Sequence, residues 1–149
     1  MNILHNIAIY LESKPEFKDL DFYYDESELS AKTELPCICF DVGYADDNSE
    51  LHAIPKGCLT IYRKVGIQFY TRTWERGEME DEVYTAEETL LQYLDNVLPQ
   101  NIHENLVNIK YVGTNSLRSL FWHNLKQNEK EKFFANKITI NYELEYQVL

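Results

Sequence analysis

The chain has 149 residues, 44% of them hydrophobic and 13% aromatic, with 14 basic against 25 acidic residues and a formal charge of -11. That length predicts one domain over residues 1–149, which buries roughly 70% of its unfolded surface and needs neither a disulfide nor a metal to fold. The charge argues against ordinary binding to a phosphate backbone or an anionic membrane, and no run approaches the ~18 apolar residues that span a bilayer.

The opening residues, MNILHNIAIYLESK, lack the basic leader and long apolar core of a signal peptide. With three cysteines in the chain, reduced thiols and an intracellular setting are the expectation. Ile3, Leu4, Ile7, Tyr10 and Leu11 recur at helical spacing, so residues 1–14 predict an amphipathic helix that Pro15 stops. A short strand is expected near Leu20 to Tyr24, then an acidic turn, DESELS, over 25–30. PCICFDVGY (36–44) alternates as a strand with Ile38, Phe40, Val42 and Tyr44 on one face, and 45–57 reads as a loop.

Two β-rich runs follow, Cys58 to Lys64 and Gly66 to Trp74. Val65-Gly66 between them fits either a tight turn or a bulge in one long strand. After a charged connection over 74–84, Thr85 and Glu88 predict a capping box. The helix it opens carries Ala86, Leu90, Leu91, Leu94, Val97 and Leu98 on one face and ends at Pro99. Leu106 to Val112 predicts a strand, 114–124 either a short helix or a packed loop, and 126–132 a solvated turn. From about Phe133 onward Ile138, Ile140, Tyr142, Leu144, Tyr146 and Val148 alternate with polar residues. Grouped strands with two helices predict an α+β domain: a mainly antiparallel sheet with the N-terminal helix and the central amphipathic helix on one face.

Candidate chemistry is sparse. Cys37 and Cys39, with His52 and Cys58, offer thiol and imidazole groups, but C-x-C without a second pair is a poor match to structural zinc. Buried free thiols are the plainer reading. Asp46, Asp47 and Glu50, and Glu78, Glu80, Asp81 and Glu82, do not fit a calcium loop; the second group suits a helix N-terminus. His5, His52, His103 and His123 fall in no nucleophile, phosphate-loop or zinc-protease motif. No cofactor, metal or catalytic residue is therefore predicted. IYRKVGIQFYTRTW interleaves aromatic and basic residues; the acidic whole argues against a single-strand stacking surface, and an exposed Tyr70, Arg72 and Trp74 face fits a protein interface better, with core packing of several of these aromatics as the plainer reading.

The order of elements resembles the tail terminator (tail completion, or minor capsid) family of long-tailed phages. The residues that carry the likeness are ILHNIAIYL for the first helix, TAEETLLQYLDNVL for the capped helix, NLVNIKYVG for the next strand and NEKEKFFANKITINYELEY for the charged turn and final strand. The resemblance implies a structural virion protein and no enzyme: a ring, typically a hexamer, that caps the tail tube, ends its polymerisation and receives the head. Its partners would be itself, the tail-tube protein and the head-completion protein, in a virion tail assembled in the bacterial host cytoplasm. The polar face of the last strand, with Thr139, Asn141, Glu143 and Glu145, would then be left for a neighbouring subunit. A small acidic immunity protein that neutralises a basic toxin is the alternative, since negative charge steers such pairs together. An enzyme without a recognisable motif is a third class, which a deep pocket with convergent polar groups would mark.

Overall fold

A computed structural model describes residues 3–29, 36–45, 59–73, 78–119 and 134–148. Helix α1 (Ile3–Glu12) buries Ile3, Ile7, Ala8 and Leu11, the face its spacing predicts. It gives way to a single 3-10 turn, Pro15–Phe17, with proline in its first turn, where the missing N–H costs nothing. Strands β1 (Asp21–Tyr23) and β2 (Cys37–Ala45) follow. β3 (Leu59–Thr73), α2 (Glu78–Leu94), the short α3 (Pro99–Ile102), β4 (Leu106–Ser119) and β5 (Phe134–Val148) complete the described chain.

The strands form one sheet in the order β1-β2-β3-β5-β4. Among the described residues only β1 against β2 is parallel; the other three pairings there are antiparallel. The protein is thus an α+β fold with a mostly antiparallel sheet. β5 lies inside the sheet, so partners on both sides take up its backbone hydrogen bonds along its length.

One face of the sheet holds the core. Ile38 and Phe40 of β2, Val65, Ile67 and Phe69 of β3, and Ile138, Ile140, Tyr142 and Leu144 of β5 pack with α1, α2 and α3. Each such side chain contributes about 1.5–3 kcal/mol on burial. Phe17 is a hub: its ring lies 6.4 Å from Phe22, 6.2 Å from Phe69 and 6.2 Å from Tyr93, joining the 3-10 turn, β1, β3 and α2.

Several expectations change in detail. Val65-Gly66 is no turn, because β3 pairs with β5 residue for residue from Leu59 to Thr73 straight through Gly66. The central helix starts at Glu78, seven residues before the predicted cap. Thr85 therefore sits inside the helix, and its hydroxyl donates to the carbonyl of Asp81 one turn back; the acidic run 78–82 occupies the N-terminal turn, where the helix dipole favours it. The same helix ends at Leu94, and Pro99 opens α3. β4 runs on to Ser119, so the described part of 114–124 is strand, held by β5 down to Ser119↔Ala135. Register shifts near Leu106 and Gly113 bend it, and Gly113 takes a φ of 155° there.

Tyr142 is 1% exposed and its hydroxyl has no hydrogen-bond partner among the described residues. The ring itself packs edge-on against Tyr111 at 5.9 Å. A buried hydroxyl left unpaired costs about 1–3 kcal/mol of desolvation. Tyr142→Phe is therefore expected to leave stability unchanged or raise it by about 1 kcal/mol. Tyr111→Phe should lose about 1 kcal/mol, because that hydroxyl bonds Thr114 at 2.7 Å and Glu87 at 3.3 Å. Urea unfolding of the two variants side by side checks the contrast; a clear loss in Tyr142→Phe would refute it.

Candidate interaction surface

The sheet face turned away from the helices is polar and ordered in rows. Reading the register across the strands, Tyr62, Glu145 and Asn108 share one row, and Lys64, Glu143 and Lys110 the next. Asp41, Gly66, Asn141 and Gly113 form a third; Cys39, Gln68, Thr139 and Asn115 a fourth. Glu143 therefore stands between two lysines, the cross-strand placement that favours opposite charges.

This pattern follows directly from the period of two in β5, whose odd-numbered residues all reach the same side. Thr139, Asn141, Glu143 and Glu145, expected to be left for a neighbour, do share this face and are each half-buried. Glu145 accepts a hydrogen bond from the Tyr62 hydroxyl at 3.2 Å, and its charge pushes the Tyr62 pKa up. Asn141 donates to the Gly113 carbonyl at 3.3 Å. Gly66 suits this packing, since a Cβ there would come within 2.9 Å of the Thr139 methyl and force a neighbour to shift.

Tyr70 departs from the interface expectation and follows the packing one. It belongs to the same face but is 5% exposed, in a second small cluster with Cys37 and Cys39 against Tyr23 and Leu29. Its hydroxyl donates to Gln68 at 3.1 Å. The segment that includes β1 and Leu29 covers this end of the sheet, so Tyr70 is a packing residue. The backbone of Arg72 pairs with Ala135 in the sheet, its side chain lies outside the described residues, and so does Trp74.

The remaining candidates that lie among the described residues do not gather. Cys37 and Cys39 are buried free thiols, and burial first, with Asp21 second, pushes the Cys37 thiol up to about 12. His52, Cys58, Asp46, Asp47, Glu50, Trp122 and His123 lie outside the described residues, as do the side chains of Glu78 and Glu80. Asp81 is exposed on α2, and Glu82 accepts a hydrogen bond from Thr71. His5 meets the Tyr24 hydroxyl at 3.0 Å, and His103 accepts the Asn105 N–H at 3.0 Å. Among the described residues no three His, Cys, Asp or Glu side chains gather to hold a metal.

An open groove of about 430 Å³ runs between α2 and the end of β3, with Phe17, Phe69 and Ala86 among its lining. Among the described residues its ionisable groups are Glu16 and Glu82, and donors of the chain itself engage both: Tyr93 and Gln92 for Glu16, Thr71 for Glu82. The Tyr93 bond in particular holds the Glu16 carboxyl below its ordinary range.

A helix-backed α+β sheet with a polar, half-buried outer face is what the geometry defines. No protein-family model matches the chain, and no curated protein matches it in sequence.

Proposed function

We propose that the protein is a structural assembly component, a tail terminator that associates into a ring, caps the tail tube of a long-tailed phage and presents a surface to the head. The observation that carries this reading is the outer sheet face, where Thr139, Asn141, Glu143 and Glu145 line the inner strand β5 half-exposed. Those side chains sit on a strand paired on both sides, and such a surface is presented to a partner at little ordering cost. The element order gives further support: helix, grouped strands, helix and a closing strand pair follow the order on which the resemblance rests.

A second reading has one observation in its favour. α2 carries Glu78, Glu80, Asp81, Glu82, Glu87 and Glu88 and no base, an acidic flank suited to a basic toxin, as an immunity protein would need. Electron microscopy of the purified protein, alone and with tail-tube protein, separates the two. Rings with a central hole are expected; a chain that stays monomeric at high concentration and ignores the tube protein would overturn the ring.

A further inference from the structure

The sheet has two open edges among the described residues, and they differ in charge. β4 lies at one end of the strand order and, among the described residues, pairs only with β5. It is 14 residues long and contains Lys110 and Arg118 with no acidic residue. Lys110, Val112, Asn115, Ser116 and Leu117 are exposed, Leu117 by 61%. The consecutive exposed residues Asn115, Ser116 and Leu117 fall on both faces, so nothing among the described residues covers this later part of the strand.

β1 lies at the other end and, among the described residues, pairs only with β2. Residues 18–29 around it, KDLDFYYDESEL, hold five acids against one base. Asp19, Asp21, Asp25 and Glu28 are exposed, while Tyr23 and Leu29 are half-buried apolar groups beside them.

A long, exposed edge strand with apolar side chains is a template for another chain. Two copies meeting β4 to β4 would bring cation-bearing strands together, and two β1 edges would bring acids together; like charges facing across strands are destabilising. Only the unlike edges complement each other, in an overall acidic protein where a basic edge is the exception. We propose that the β4 edge of one copy receives the acidic β1 edge of the next, so that sheets join head to tail. Such a contact uses two different patches, and heterologous contacts of that kind close into rings or extend into filaments. The inference rests on the self-assembly reading above and names the surfaces it uses.

The test is a pair of charge-reversed chains, Lys110→Glu/Asn115→Glu and Asp19→Lys/Asp21→Lys/Glu28→Lys. All five positions are exposed, and circular dichroism checks that both variants fold. Each variant alone is expected to associate at least tenfold more weakly than the native chain in analytical ultracentrifugation. An equimolar mixture should recover assembly, because each reversed edge then meets a complementary one. Native-like assembly by either variant alone, or no recovery on mixing, overturns the edge contact while leaving the ring standing. A native chain that never associates removes the ring reading and the edge contact together.

Discussion

Phe17→Ala is expected to lower the unfolding free energy by about 3–5 kcal/mol, a large share of the ~5–15 kcal/mol a domain possesses. Phe17 is 1% exposed and touches three other aromatic rings from different elements. Its loss leaves a cavity that β3 and α2, both fixed by other contacts, cannot close. The large cost comes from joining elements distant in sequence, since the 3-10 turn itself is only three residues. Leu117→Ala is the control: at 61% exposure it should shift stability by no more than about 0.5 kcal/mol. Urea unfolding gives both values, and a loss below about 1 kcal/mol for Phe17→Ala would contradict the hub role.

Alkaline pH should destabilise the protein early and steeply. The Cys37 thiol rises from 9.0 to about 12 in the folded state, chiefly through burial, and burial likewise pushes Tyr142 above its ordinary 10.0. Both groups are neutral when protonated, so above pH 9 the unfolded chain releases protons that the folded chain keeps. Stability from Cys37 is therefore complete below pH 9 and is lost as pH climbs towards about 12. The slope is about 1.4 kcal/mol per pH unit for each such group. Tyr142 adds its share once pH passes 10, where the unfolded tyrosine ionises.

Cys37→Ala should accordingly flatten the fall between pH 9 and 10, although it costs some packing at neutral pH. Denaturant unfolding from pH 7 to 11 measures this, and equal slopes for native and variant would rule Cys37 out as the source. Iodoacetamide labelling near pH 8 gives an independent check, because the buried thiol should react only as fast as the protein opens.

Much of the candidate surface was legible because a strand leaves little freedom. Alternation in residues 136–148 puts Thr139, Asn141, Glu143 and Glu145 on one side whatever the partner strands are. Helix α1 was equally plain, since its 3.6-residue stripe matches the face it buries. Tyr70 shows the limit: alternation groups it with Arg72 and Trp74, but its cover comes from Tyr23 and Leu29, more than 40 positions earlier. No local pattern encodes that contact.

The start of α2 was missed for a related reason. Thr85 and Glu88 satisfy the capping pattern in sequence, yet the same threonine can donate to a carbonyl one turn back, as it does with Asp81. Local chemistry leaves both options open, and the acidic run before it extends the helix at the end its dipole favours.

What the sequence determined by itself was the class of the fold, the two main helices and the two faces of the last strand, because periodicity and solvent partition act on a few neighbouring residues at a time. What only the tertiary structure decided was the strand order, with β5 inside the sheet and β4 and β1 at its edges. That order depends on contacts between distant segments, and it alone turns an excess of acidic residues into two edges of opposite charge.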